Sequence, residues 1–168
     1  KKRPIDAFFT GEISSSEVYL EGYNTDAFGF EHSLKPLLHK HHQKALILGN
    51  GGASRAIAYV LGLLNIDYRF VSRQGKGKNY SYDQLNHEII EEHTLIVNTT
   101  PLGTFPKIDE CPDIPYQYLT KWHLLYDLVY NPEESAFLKR GKAKDAATKN
   151  GLEMLHLQAE KAWEIWNS

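Results

Sequence analysis

The segment from Ala45 to Leu64 constrains the fold more than any other, because its character changes twice over a short span. The apolar run ALIL is followed by the glycine-rich sequence GNGGAS and then by apolar residues at helical spacing. This order predicts a strand, a tight turn and a helix with one face packed on a sheet. The apolar residues of that face are Ala56, Ile57, Val60, Leu61 and Leu64.

The glycines of the turn are candidates for a phosphate-binding site. At Gly49, Gly51 and Gly52 the backbone carries no side chain, so its N–H groups can approach an anion at the start of the next helix. The pattern is a variant of G-x-G-x-x-G, since Ser54 occupies the third small position. The segment therefore predicts a turn that binds the pyrophosphate of a dinucleotide. A glycine turn that holds no nucleotide is the alternative.

Length and charge narrow the class of ligand. A chain of 168 residues is long enough for one well-buried domain and short for two. Hydrophobic residues make up 42% and charged residues 24%, as in ordinary globular proteins. The formal net charge of -2 offers no broad basic surface, which argues against nucleic acid or an anionic membrane as partner. We expect a small-molecule ligand.

The cysteine and histidine residues of the sequence do not predict a disulfide or a metal site. Cys111 is the only cysteine, which excludes an internal disulfide and a multi-cysteine metal site. His39, His41 and His42 have no carboxylate or cysteine at a ligand spacing, so we expect a solvated loop and no metal. No stretch resembles a signal peptide or a bilayer-spanning helix, and we expect a cytoplasmic location. The chain begins with Lys1 rather than Met, which suggests a fragment or a processed chain.

The first residues and the rest of the chain have different patterns. Residues 1–22 are predicted to be a linker or the remnant of a strand hairpin, and residues 23–168 a single domain. A helix is predicted to start at Asn24 or Thr25, either of which can cap it. Asp26 falls in its first turn, where a carboxylate suits the helix dipole. The same carboxylate could instead be an acid, base or substrate contact at a cleft.

Strands and helices alternate after the glycine turn, which predicts an α/β fold with a doubly wound parallel sheet and helices on both faces. The predicted strands are Tyr68–Val71, Thr94–Val97, Leu124–Val129 and a small one at Ala146–Thr148, and the predicted helices are Ser81–Glu92, Ser135–Arg140 and Leu152–Trp166. Residues 104–115 contain three prolines and are expected to form an irregular loop.

The last helix carries an apolar stripe that is expected to face the core. Its members are Leu152, Leu155, Ala159, Ala162, Trp163 and Trp166. Gln158 lies among them but is polar, so it is either a structural hydrogen-bonding group or a ligand contact.

The end of the second strand of the sheet indicates which dinucleotide is bound. A unit that binds NAD places a carboxylate there for the ribose 2′-OH, whereas a 2′-phosphate calls for arginine. Here Ser72 and Arg73 follow the strand, with Lys76 and Lys78 close behind. Asp67 precedes the strand and would lie at its opposite end. The pattern favours NADP(H), with a merely basic surface loop as the alternative.

Taken together, six motifs occur in the order found in the shikimate dehydrogenase family, and the chain resembles the NADP-binding half of that family. They are GYNTDAFGF at 22–30, LGNGGASRA at 48–56, VSR at 71–73, NTTPLG at 98–103, DLVYNP at 127–132 and NGLEMLHLQA at 150–159. The resemblance implies a Rossmann-like domain and NADPH-dependent reduction of 3-dehydroshikimate to shikimate, in the pathway to aromatic amino acids.

The resemblance also implies roles for individual residues. Asp26 is expected to be catalytic, binding a substrate hydroxyl beside a lysine, and Tyr130 and Gln158 are expected to contact the substrate. The pyrophosphate cradle would be formed by Gly49, Asn50, Gly51, Gly52 and Ala53. Ser72 and Arg73 would contact the 2′-phosphate. Thr99, Leu128, Gly151 and Met154 would lie along the cofactor towards its nicotinamide.

One large part of the family pattern has no match in this sequence. Family members begin with a substrate-binding domain of roughly a hundred residues, which carries the essential lysine. We therefore expect this chain to bind NADP(H) but to turn over slowly or not at all. A stand-alone NADP-binding sensor or partner module, and a dehydrogenase acting on quinate or a related acid, remain alternatives.

Overall fold

The structure, a computed structural model, describes residues 7–14, 17–75 and 77–167. The strands are β1 (Ala7–Ser14), β2 (Glu17–Asn24), β3 (Lys44–Leu48), β4 (Asp67–Ser72), β5 (Tyr80–Ser81), β6 (Leu95–Asn98), β7 (Leu124–Asp127) and β8 (Ala147–Lys149). The α-helices are α1 (Thr25–Leu34), α2 (Gly52–Leu63), α3 (His87–Glu92), α4 (Ala136–Lys142) and α5 (Leu152–Trp166). Short 3₁₀ helices occupy Lys35–Leu37, Tyr82–Gln84 and Tyr116–Tyr118.

Strands β3 to β8 form one six-stranded sheet in the order β5-β4-β3-β6-β7-β8, and every neighbouring pair in it is parallel. The chain starts at β3 in the middle, winds outwards to β5, and then returns to β6 and winds the other way. This confirms the predicted doubly wound, Rossmann-like α/β fold. The winding reverses between β3 and β6, and in such sheets ligands bind beyond the carboxyl ends of the strands at that point.

Strands β1 and β2 form a separate antiparallel hairpin, with Ala7 opposite Asn24 and Ser14 opposite Glu17. The hairpin leads directly into α1, because the Asn24 side chain accepts a hydrogen bond from the Ala27 N–H at 3.0 Å and so caps the helix. Strand β2 thus continues past the boundary at residue 22 that the sequence suggests. The division of the chain into a remnant and a domain stays a prediction.

Alternate residues of the buried strands point to opposite faces of the sheet, and each face has its own core. Ala45 and Ile47 pack under α1, α2 and α5, whereas Leu46 and Leu48 pack under α3, α4 and the segment before β7. Helices α1 and α5 approach closely at Gly29, where a Cβ atom would lie 2.4 Å from the Met154 carbonyl oxygen. The first core therefore fixes α5 against the start of α1.

The predicted core-facing stripe of the last helix is confirmed at Ala162 but wrong for its large members. Helix α5 buries Met154, Ala162 and Ile165, while Trp163 and Trp166 are 66% and 62% exposed. The close approach at Gly29 turns the side carrying Met154 towards α1, which places both tryptophans on the outer side. Large apolar side chains suggested the opposite orientation, but small residues set the packing.

Two further local predictions need correction. The predicted helix Ser81–Glu92 is a short strand, a 3₁₀ turn and then α3, because Ser81 and Gln84 form a capping box and Asn86 caps α3. His42 is not in a solvated loop but only 5% exposed. Within the described ranges, no helix combines the length and hydropathy needed to cross a membrane, and no group of three or more His, Cys, Asp or Glu side chains is arranged to hold a metal ion.

Candidate dinucleotide-binding site

An open cleft lies at the carboxyl ends of β3, β4 and β6, where the winding of the sheet reverses. It encloses a cavity of about 720 Å³. Six of the residues predicted to bind the cofactor line this cavity: Gly49, Asn50, Gly51, Ser72, Arg73 and Thr99. The fold thus brings together three segments that are far apart in the sequence.

The glycine turn has the backbone geometry that a phosphate cradle requires. Gly49 has a φ of +106°, and a Cβ atom there would lie 2.8 Å from the Thr99 Oγ1 atom, so a side chain is excluded. Its N–H donates to the Val71 carbonyl oxygen at 2.8 Å, which fixes the turn to β4. At Gly51 and Gly52, a Cβ atom would meet no described atom within 4 Å. The turn therefore leaves room for a ligand above these two residues.

Helix α2 follows the turn and directs its N-terminus at the cleft. Its N-cap, Gly51, offers no side-chain acceptor, and its first turn holds no acidic residue. The first N–H groups are thus available to an anion, and the helix dipole favours negative charge there. The buried Ser54 hydroxyl donates to the Gly51 carbonyl oxygen at 2.7 Å and holds the turn against the helix. These features fit a pyrophosphate group.

The residues beyond β4 have the expected charge. Arg73 lines the cavity directly after the strand. Asp67 is the first residue of β4 and lies opposite Lys44 in the strand register. It is therefore at the amino end of the strand, away from the cavity, as predicted. Among the residues that line the cavity, Asp113 is the one carboxylate, and it comes from the irregular loop before β7.

A buried network of hydrogen bonds connects the carboxyl ends of β6 and β7, next to the cavity. Asp127 is fully buried, and its carboxylate accepts hydrogen bonds from the Asn98 side chain at 2.9 Å, the Val129 N–H at 3.1 Å and the Ser135 hydroxyl. Burial raises the pKa of Asp127 to about 6, although these three donors act in the other direction. The Asn98 Oδ1 atom in turn accepts from the Thr100 N–H and hydroxyl. The network joins the two turns that follow β6 and β7.

The residues predicted to lie towards the nicotinamide form a second group. The Leu128 N–H donates to the Asn98 carbonyl oxygen at 3.0 Å, which places it beside the end of β6. Gly151 packs so closely that a Cβ atom would lie 2.2 Å from the Leu128 carbonyl oxygen. Met154 belongs to the same core as Leu128. These residues do not line the 720 Å³ cavity, and their cofactor contacts stay predictions.

The predicted substrate residues come from the first turn of α1, the middle of α5 and the turn after β7. The Thr25 hydroxyl donates to the Gln158 Oε1 atom at 3.4 Å, which brings the first turn of α1, with Asp26, close to α5. Asp26 is partly exposed. Tyr130 is 48% exposed in the turn after β7. Their roles stay predictions.

Comparison with known proteins agrees with this architecture. No protein-family model matches the chain. A shikimate dehydrogenase (NADP(+)) of Clostridium beijerinckii is 39% identical over 174 residues, covering 98% of this chain and 63% of the relative. One of Desulforamulus reducens is 35% identical over 170 residues, covering 88% and 57%. The chain belongs to the shikimate dehydrogenase family. It spans about three fifths of the length of these curated relatives.

A solved family structure gives the same result. The shikimate 5-dehydrogenase of Thermus thermophilus, in complex with NADP(H) and shikimate, superposes with a TM-score of 0.73 at 31% identity. The match covers 88% of this chain and 57% of that structure.

Several residues of the cleft were not predicted from the sequence. Tyr82, Thr100, Pro101, Leu102, Cys111 and Asp113 also line the cavity. Thr100, Pro101 and Leu102 belong to the NTTPLG motif of the family, so the motif itself could have indicated them. Tyr82, Cys111 and Asp113 lie in segments expected to be a helix or an irregular loop, and no pattern in them marks a ligand contact.

Proposed function

We propose that this chain is the NADP-binding part of a shikimate dehydrogenase, an enzyme that reduces 3-dehydroshikimate to shikimate with NADPH. The names of its relatives and the NADP(H) and shikimate complex of a solved neighbour support this proposal. The observation that carries it is the glycine turn, which offers free N–H groups at the start of α2 with Arg73 at its side. The proposal includes the pathway to aromatic amino acids and a cytoplasmic location.

On the cofactor side, the proposal assigns two tasks to the chain. The turn from Gly49 to Ala53 holds the pyrophosphate through backbone N–H groups, since no side chain is needed there. Ser72 and Arg73 contact the 2′-phosphate of the adenosine, because Arg73 follows β4 where an NAD site would have a carboxylate. NADPH, when bound, supplies the hydride.

On the substrate side, the reduction of a carbonyl also requires a positioned proton donor. We propose that Asp26 orients a substrate hydroxyl at the end of α1, with Gln158 and Tyr130 as further contacts. In the family, a lysine of the substrate domain is the charged partner of this aspartate. The motifs matched here do not include that lysine. Residues 1–168 are thus proposed to bind NADPH but to turn over slowly or not at all.

A titration of the chain with NADPH and with NADH tests the cofactor proposal, with nicotinamide fluorescence as the readout. We expect tighter binding of NADPH, and a loss of this preference in Arg73→Ala. Binding of neither nucleotide by the unchanged protein would contradict the proposal. A preference for NADH would contradict the assignment of Arg73.

A second assay tests the substrate side. Reduction of NADP+ is followed at saturating shikimate, with quinate as the alternative substrate. A turnover rate typical of enzymes, about 1 s⁻¹ or more, would show that the lysine of the family's substrate domain is not needed. A rate with quinate alone would reassign the substrate.

A further inference from the structure

A second, smaller cavity lies beside the glycine turn, between α2 and β4. Its volume is about 300 Å³. It is lined by Asn50, Ser54, Arg55, Phe70, Ser72, Gln74 and Asn79. Asn50 and Ser72 line the larger cavity as well, so the two spaces adjoin across the end of β4. A group attached to the adenosine ribose near Ser72 can therefore reach either space.

The polar groups around the smaller cavity suit an anion. One guanidinium, three carboxamides and two hydroxyl groups border it, and its lining contains no carboxylate. In the larger cavity the cation Arg73 shares the lining with the carboxylate of Asp113. A phosphate dianion would be repelled by that carboxylate, since like charges near one another are unfavourable. The smaller cavity is thus the better electrostatic match for a 2′-phosphate.

Arg55 is the cation of the smaller cavity and is free to bind a ligand. It lies in the first turn of α2, is exposed, and forms no hydrogen bond or ion pair with another described residue. Its neighbour Asn79 accepts the Phe70 N–H at 3.2 Å through Oδ1, which leaves the Nδ2 protons for another acceptor. A guanidinium can bind a phosphate through two parallel hydrogen bonds.

We propose that Arg55 is a specificity-determining residue that binds the adenosine 2′-phosphate from the helix side of β4, opposite Arg73. The phosphate enters the smaller cavity from the end of β4, so that Arg73 contacts it from the side of the larger cavity while Ser72 and Asn79 complete its donors. The inference rests on the proposed function, since it names a further contact of the same cofactor. Arg55 was not among the predicted contacts, because it lies at the start of α2 and not beside Arg73 in the sequence.

The test compares Arg55→Gln with Lys139→Gln, which removes one exposed positive charge from α4 on the other face of the sheet. Each protein is titrated with NADPH and NADH. Adenosine 2′,5′-bisphosphate and 5′-AMP are then used as competitors, because they differ in the 2′-phosphate and lack the nicotinamide. Thermal unfolding of each variant monitors the fold.

We expect Arg55→Gln to weaken NADPH and adenosine 2′,5′-bisphosphate at least tenfold while changing NADH and 5′-AMP less than twofold. Lys139→Gln should change none of the four by more than twofold. An equal loss for all four ligands would overturn the inference, because it would indicate a structural role. Unchanged NADPH binding would overturn it too, while leaving the proposed function intact. Failure of the unchanged protein to bind any of the four would instead refute the proposed function.

Discussion

The two ends of the parallel sheet both carry polar side chains around a cavity, yet they differ in how those side chains are paired. At the carboxyl end, Arg55 and Arg73 form no ion pair with another described residue. At the amino end, a cavity of about 440 Å³ is bordered by four histidines, and the rings of His41, His42 and His123 form hydrogen bonds with the protein. His42 accepts the His39 N–H at 3.0 Å, and His123 accepts the Thr120 N–H at 3.1 Å.

The pairing of polar side chains therefore distinguishes the candidate binding site at the carboxyl end from the amino end of the sheet. The amino-end cavity of about 440 Å³ is intermediate between the two carboxyl-end cavities of about 300 and 720 Å³, so volume does not distinguish the two ends. Donors without a protein partner, a helix N-terminus and a turn with three glycines occur together at the carboxyl end. At the amino end, three histidine rings instead form hydrogen bonds with backbone groups of the protein. The following experiments test this contrast, starting with the largest expected effect.

Gly49→Ala should damage the carboxyl end most. The φ of +106° disfavours alanine, and the added methyl group would lie 2.8 Å from the Thr99 hydroxyl. We expect the free energy of unfolding to fall by about 2 to 4 kcal/mol from backbone strain and overpacking together. NADPH binding should weaken at least tenfold as the turn moves. Urea unfolding and the NADPH titration measure both effects.

Gly62→Ala is the matched control on α2. Apart from the neighbouring residues and the backbone of its own helix, no described atom lies within 4 Å of the added methyl group, and the position is exposed. Alanine favours a helix over glycine by up to about 1 kcal/mol, so this variant should be as stable as the original or slightly more stable. NADPH affinity should not change. An equal loss of stability in both variants would show that the turn has no special demand for glycine.

Asp127→Asn should remove a pH dependence that arises at the carboxyl end. Burial raises the pKa of Asp127 from 3.8 to about 6, so the folded protein retains a proton that the unfolded chain loses near pH 4. Stability should therefore fall by about 2 to 3 kcal/mol as the pH rises from 4 through 6. Asparagine does not titrate, and its Oδ1 atom can still accept from Asn98 and Val129, while its Nδ2 group would donate to the Ser135 Oγ atom in place of the bond that Ser135 now donates. Parallel unfolding profiles for the two proteins across this range would contradict the assignment.

His42→Asn should reveal the opposite response at the amino end. Burial, followed by the nearby His41 and His39, lowers the pKa of His42 from 6.5 to about 4. The unfolded chain binds a proton first, so stability is fully present above pH 6.5 and is lost towards pH 4. We expect a loss of about 1 to 2 kcal/mol that the variant lacks. A wild-type loss that persists in the variant would assign the acid response to another group.

The sequence predicted the sheet and the glycine turn well, because both depend on local patterns. Four-residue apolar runs specify buried parallel strands, and Gly49 is required by its own φ. The orientation of α5 was predicted wrongly, since it depends on the close packing of Gly29 against Met154 across a long sequence separation. His42 was misplaced for a related reason. Its burial follows from the His39 N–H that its ring accepts and from the segment before β7.

In the candidate site too, the residues set by local sequence were predicted and those set by tertiary packing were not. Residues within the motifs of the family could be placed in advance, including Ser72 and Thr99. Tyr82 and Asp113 reach the cleft through irregular segments whose course only the tertiary structure shows. Arg55 lies inside a motif, but its place beside β4 depends on how α2 crosses the sheet.

His41→Ala is expected to have the smallest effect and is the most direct test of the amino-end cavity. The His41 ring lies edge-on to Trp122 at 5.5 Å, and its Nε2 atom donates to the Trp122 carbonyl oxygen at 3.1 Å. Both groups are exposed, so we expect a loss of only about 0.5 kcal/mol in the free energy of unfolding. NADPH affinity should not change, because this cavity lies at the other end of every strand. Weaker NADPH binding in His41→Ala, with the fold intact, would show that the two ends of the sheet are coupled. The pairing of polar side chains would then not distinguish the binding end from the other end.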